Sequence, residues 1–389
     1  MLTQQPSERI ESMDSLRGIA SLQVVIGHAL LIIPAFTVAV LGKEPVPGES
    51  FVNAVAFSPI HLVWAAHEAV ILFFVMSGFV LAIPFYKKKK LQFGGFVVKR
   101  FFRIYVPYIA VLLLGWLCCT IFLNTPRDPR FSEWFNAIWA RPVTSEDWFS
   151  FVTLQDSSFH NVVTSLWTLP IEIKASLLMP FIALAFDRIR SGFILLGIIV
   201  LNIILFKIGK KFGWHERYPE FKLFYYLTFF LMGASLSKFR AVIAGRLNNA
   251  GKPVLIILAL LAACLYVFEW IRWILPANLP ELAIRIIPAD YAVAVSAVLL
   301  ISLAVTNKGA NLLQHKTLVK LGEISFSLYL LHPIVIGIVG YTIGPLVPFY
   351  VSIIISVVLS AVIALPFSKF VEVPVQNLGR RLSAKINGK

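Results

Sequence analysis

Charged side chains are scarce in this chain. Asp, Glu, Lys and Arg make up 14% of its 389 residues, while 58% are hydrophobic, against about 25% and 45–50% in ordinary soluble domains. With a mean hydropathy of +0.80, a water-soluble enzyme built around one core is excluded, and so is a disordered chain. Cysteine is nearly absent. The three residues present, two of them adjacent at Cys118 and Cys119, fit neither a disulfide framework nor a metal spacing. Acidic residues are also few, 20 against 35 Lys plus Arg, for a formal net charge of +15. On a soluble protein that imbalance points to nucleic acid; on a chain this apolar it reads as membrane topology, and no nucleic-acid partner is expected. No G-x-G-x-x-G or Walker sequence occurs. Ser77-Gly78 in FFVMSGF lacks the G-x-S-x-G frame of a nucleophile elbow and reads as close helix packing. His61, His67 and Glu68 do not make H-E-x-x-H, so no metal is expected. Neither an internal repeat nor a linker marks a second domain, and residues 1–389 read as one unit.

What is present is apolar sequence in lengths that fit a bilayer, whose core takes about 20 residues per helix. Ten such runs lie at roughly 17–41, 65–86, 102–123, 165–187, 193–208, 221–238, 253–275, 288–306, 321–343 and 347–370. The expected fold class is therefore all-α, an integral membrane bundle of about ten transmembrane helices in contact with membrane lipids. The first run is too long for the core of a signal peptide and stays as the first span. With the N-terminus in the cytoplasm, 23 of the 35 basic residues fall on the cytoplasmic side and 11 outside, as the positive-inside rule asks. Both termini are then cytoplasmic, in short tails at 1–16 and 371–389. Five of the outside charges sit together in 207–222. The longest outside loop, 124–164, mixes acids with Trp134, Trp139 and Trp148, which suits a lid or an aromatic belt at the membrane surface.

Polar groups at bilayer depth are costly and mark functional candidates. In SLRGIASLQVVIGHA, Arg17 and His28 are eleven residues apart, so both project from one helix face with about 16 Å of rise between them. That suits a long ligand with an anionic head near Arg17 and a reactive end near His28. In KRFFRIYVPY, Arg100 and Arg103 are i, i+3 neighbours whose guanidinium forks fit phosphate, or anchor the helix at the inner boundary. The basic run 87–90 reads as a contact to anionic lipid. In SLWTLPIEIKASLLMP, Pro170 marks a helix start and Glu172 falls in its first turn, favoured by the helix dipole, at an end expected to face outward; Lys174 points roughly the other way. In GEISFSLYLLHP, Ser325, Tyr329 and His332 share one face at a depth similar to His28, with Pro333 freeing a carbonyl. Hydrogen bonding between helices is the plain alternative for these last groups.

Taken together and in this order, these segments, with FFVMSGFVL and FVEVPVQNLGRRL, resemble the acyltransferase family 3 of integral membrane proteins over residues 11–382. The length resembles that of members without a fused SGNH-type esterase domain. The family commonly has two consecutive Glu after the Trp-containing turn; here the second position is Ile173. What the resemblance implies is transfer of an acyl group, usually acetyl, from cytoplasmic acetyl-CoA to a carbohydrate or glycolipid hydroxyl in the bacterial inner membrane. Arg17, Arg100 and Arg103 would hold the CoA phosphates. His28 would be the general base or a transient acyl carrier. Glu172 would orient His28 or the acceptor, and Ser325 or Tyr329 would donate to the thioester oxyanion, with His332 beside them in the site. A secondary transporter or flippase for a glycolipid is the alternative from the residues alone, although no inverted repeat is visible.

Overall fold

The computed structural model describes residues 10–86, 92–155, 159–188, 192–214, 219–274, 288–306, 311 and 313–388. Every regular element among them is helical. The basic run at 87–90 and Arg190, Arg217 and Arg285 lie outside the described residues. The first apolar run makes two helices, α1 (Glu11–Leu30) and α2 (Pro34–Gly42), which meet at 118°. The bend falls where Pro34, without an N–H, cannot continue a helix but suits the first turn of a new one. Next come α3 (Ala66–Tyr86) and α4 (Phe93–Phe122), the latter passing through a π-helical turn at Phe101–Tyr105. After the outer loop follow α5 (Thr168–Arg188), α6 (Gly192–Lys211), α7 (Pro219–Asn249), α8 (Lys252–Tyr266) and α9 (Ala289–Ala304). The chain ends with α10 (Lys316–Glu323), α11 (Ser325–Thr342) and α12 (Phe349–Ile386), which has its own π-helical turn at Ser368–Glu372.

Among the described residues, six helices are long and apolar enough to cross a membrane, and eight if two bent pairs each count as one span. The expected ten is not reached. The first run is broken at the α1–α2 bend, the seventh is bent by 75° after Tyr266, and α9 has only 16 residues. The segment 371–389, expected as a short tail, is largely helical, because α12 continues without interruption to Ile386 and lies along the start of α4. A Cβ at Gly379 would come within 2.5 Å of the Cβ of Phe102.

Lipid offers no hydrophobic drive for helix association, so small residues and hydroxyl–carbonyl bonds carry it. Between α3 and α7, a Cβ at Gly78 would sit 2.0 Å from the Phe230 carbonyl oxygen, and one at Gly233 would sit 1.9 Å from that of Val75. Helix α1 runs through the bundle and is tied on several sides. Ser12 donates to Ala304 O and Ser21 to Ser325 O, each at 2.8 Å, and Ser15 donates to Leu313 O. Gly18 lets α10 approach, since a Cβ there would meet Gly322 N at 2.7 Å.

The 124–164 loop is a packed structure. Phe131, Phe135, Trp139, Phe151 and Phe159 are buried with residues of α4 and α11 in a second core beside the main one. The Trp139 indole donates to Val162 O at 3.0 Å, and Asn161 accepts from the amides of Ala140 and Arg141. Ser132 docks this loop on the α1–α2 bend, its N–H to Ile32 O at 2.9 Å and its hydroxyl to Leu31 O at 2.5 Å.

Candidate active site

Helix α1 carries His28 on its last turn, just before the bend, and α11 brings His332 against it. His28 Nδ1 and His332 Nε2 are 2.8 Å apart and the rings stack at 5.0 Å. His332 is fully buried, and its Nδ1 lies 3.1 Å from Leu328 O, with the Tyr329 carbonyl also bonded to it. Pro333 follows and has no N–H to donate back to the carbonyl of Tyr329, which leaves that oxygen for the ring. A carbonyl only accepts, so Nδ1 of His332 carries the proton. With both rings neutral, Nε2 of His332 accepts and Nδ1 of His28 donates. The lone pair of His28 is thereby fixed on Nε2, and among the described residues nothing bonds to it.

The 124–164 loop covers this pair. Trp134 stands 5.7 Å from the His28 ring and 5.0 Å from that of His160. His160 is anchored by Trp134 O at 2.8 Å and the Thr164 hydroxyl at 3.1 Å, and burial pushes it below the ordinary histidine range.

Tyr329 and Ser325 share the α11 face with His332, but their protons are committed. The Tyr329 hydroxyl donates to Ser165 O at 3.0 Å and meets the Thr168 hydroxyl at 2.8 Å. The Ser325 hydroxyl donates to Gly322 O at 2.8 Å, closing the break between α10 and α11. As placed, both fasten helices together.

The second assembly lies toward the other end of α1. Arg17 is 3.4 Å from Asp14 on its own helix and feels the charges of Arg103, Glu172 and Glu372. Arg100 feels those of Arg103, Glu172 and Arg17. Four helices thus bring three guanidinium groups into one neighbourhood with the carboxylates of Asp14, Glu172 and Glu372, with Arg103 on the π-helical turn of α4 and Glu372 on that of α12. Such turns recur at functional sites because they shift the register of the residues they carry. Among the described residues, nothing bonds to the buried Nε of Arg100. A buried charged donor left unpaired is costly, so this cluster suits an incoming anion.

Glu172, expected near an outward acceptor, stands in the second turn of α5. Ser77 donates to it at 3.5 Å and it faces the arginines; no bond joins it to His28. Glu372 was missed as a single residue although it stands in FVEVPVQNLGRRL. It is 6% exposed and receives bonds from Ser327 at 2.5 Å and Gln376 at 2.9 Å. A lone carboxylate among apolar neighbours, with Gln376 one turn on, is the signal that marks it.

Residues 10–366 match a family model described as an acyltransferase domain. A curated relative, "Protein 2 in picA locus" of Rhizobium radiobacter, is 30% identical over 130 residues. That stretch takes in 32% of this chain and 54% of the relative, so the chain spans about half the length of the curated protein it matches. No solved structure matches.

Proposed function

The chain belongs to acyltransferase family 3, and on that premise we propose that it moves an acyl group, acetyl in the simplest case, from cytoplasmic acyl-CoA to a hydroxyl of a cell-envelope carbohydrate or glycolipid. The observation that carries this is the fixed lone pair on His28 Nε2, on the same helix face as Arg17 and about 16 Å of rise away. An acyl-CoA is long, with its phosphates at one end and its thioester at the other. Arg17, Arg100 and Arg103 are the groups to receive the phosphates, in charge-assisted and bidentate bonds. The unpaired Arg100 Nε supports that fit. Glu172 and Glu372 balance the three arginines and hold them in place between turnovers.

His28 Nε2 takes the proton of the acceptor hydroxyl as its oxygen bonds to the acyl carbon. The carbon–sulfur bond then breaks, and the same nitrogen returns the proton to the departing CoA sulfur. His332 keeps His28 in the required tautomer through each transfer, as a positioning residue. Trp134 shields the ring pair from bulk water. The enzyme sits in the inner membrane with its arginine end in the cytoplasm.

The test is release of CoA thiol from acetyl-CoA by protein in liposomes, with a polysaccharide acceptor present, beside acetyl-CoA binding and thermal stability. The wild-type protein releases thiol. His28→Ala still binds acetyl-CoA and melts like the wild type but is slower by about 10²–10⁴, the range of a lost general base. A folded His28→Ala protein turning over at the wild-type rate overturns this mechanism. A transporter consumes no acetyl-CoA in the first place.

A further inference from the structure

At the other end of the bundle from the arginines is a cavity of about 720 Å³, within the roughly 300–1,000 Å³ of small-molecule pockets. Its charge is unusual for that location. Lys43 follows α2, Lys207, Lys210 and Lys211 end α6, and Lys222 stands in the first turn of α7; all five line the same space. Among the described residues two carboxylates join them, and both are engaged. Glu269 pairs with Lys43 at 2.7 Å. Asp290 is held by His67 at 3.0 Å and by the Tyr225 hydroxyl at 3.1 Å. The described lining is therefore formally positive.

Its remaining wall is aromatic. Phe206 and Tyr225 stack at 4.2 Å, and Trp167 and Tyr226 lie 5.7 Å apart. Trp167 immediately precedes Thr168, whose hydroxyl meets Tyr329, one turn from His332. The wall of the cavity thus adjoins the histidine pair. Aromatic faces suit the C–H faces of sugar rings, and convergent lysines suit carboxylates or phosphates carried on those rings. Topology gives no reason for the lysines, because the positive-inside rule disfavours basic residues at this end.

We propose that this cavity is the acceptor site, and that the acceptor is an acidic carbohydrate whose anionic groups are held by Lys210 and Lys211 while its rings lie on Trp167 and Tyr226. The inference rests on the acyl-transfer reading and narrows it from carbohydrate to acidic carbohydrate. An anionic lipid headgroup offers the same charge but no saturated ring for the aromatic wall.

The experiment is isothermal titration of the purified full-length protein in uncharged detergent, without acyl-CoA. The two probes are a mannuronate tetrasaccharide and mannotetraose, which differ only in the carboxylates. The acidic sugar should bind at least about tenfold more tightly, and the preference should shrink as salt rises. It should be lost in Lys210→Gln/Lys211→Gln, whose melting temperature checks the fold. Equal affinity for the two sugars, no binding of the acidic one, or a variant that keeps the preference would overturn the proposal. Glycerol phosphate displacing the acidic sugar at comparable concentration would assign the lysines to lipid headgroups and overturn it too. Acetyl-CoA binding by the wild type, titrated separately, tests the transfer reading alone: a protein that binds acetyl-CoA but not the oligouronate loses only the acceptor assignment.

Discussion

The division of labour within the site comes down to which atoms already have partners. His28 Nε2 is free because Nδ1 is tied to His332, and His332 is tied because its other nitrogen meets carbonyls of its own helix. Replacing His332 by Phe removes the acceptor that fixes the tautomer and leaves the apolar packing largely in place. Turnover should fall roughly 10²-fold, the cost of misplacing a reacting group by about an ångström, while acetyl-CoA affinity stays at the wild-type value. A His332→Phe protein with unchanged kcat would reduce the contact to helix packing. The arginines make the converse prediction. Arg100→Ala should weaken acetyl-CoA binding by roughly ten- to a hundredfold, the worth of one charge-assisted phosphate contact of about 1.5–3 kcal/mol. Equilibrium binding to the purified, folded variant measures it, and unchanged affinity would remove Arg100 from the donor site.

Helices here are placed by what they lack as much as by what they carry. Gly78 and Gly233 face opposite backbones across the α3–α7 contact, and neither carbonyl beyond them can rotate away. Gly78→Val should therefore destabilise the protein by at least about 1–3 kcal/mol, the usual cost of overpacking, read as a lower melting temperature in detergent. Gly197→Val is the control: Gly197 stands on α6 with nothing within 4 Å and should melt as the wild type does. A Gly78→Val protein that melts with the control would mean that α3 and α7 do not meet at this point. The two π-helical turns belong to the same scale. Each inserts one residue into a long helix, and each carries one member of the charge cluster, Arg103 on α4 and Glu372 on α12.

For the whole molecule, the acyl-transfer reading predicts that the arginine end faces the cytoplasm. The basic residues at the arginine end favour the inside, and the lysines that count against this share one cavity, the proposed acceptor site. Ser145 tests the orientation. It is exposed in the outer loop, beside Thr144, which caps the short helix Ser145–Val152. A Ser145→Cys protein with Cys264, the one exposed cysteine of the three, changed to Ser should react with a membrane-impermeant maleimide in spheroplasts. Labelling only after the membrane is permeabilised would invert the orientation and move the arginines outside.

Composition and run length were enough to identify an all-helical chain that meets the membrane, because burying apolar residues in lipid requires long helices and leaves few other arrangements. The Arg17–His28 register was also legible, since helical periodicity fixes which residues share a face. Pairings between elements were not. Nothing local to α1 or α11 says that His28 meets His332, that Glu172 turns toward the arginines rather than toward His28, or that Ser325 and Tyr329 give their protons to carbonyls. The count of about ten spans is not confirmed among the described residues, because hydropathy measures apolar length and registers neither the bends after Leu30 and Tyr266 nor the shortness of α9. Five lysines scattered from Lys43 to Lys222 come to line one cavity only where α2, α6 and α7 converge. Those outcomes depend on which helix faces touch, and that is settled by backbone approach at glycines such as Gly18, Gly78 and Gly233 and by hydroxyl–carbonyl bonds across hundreds of residues of sequence.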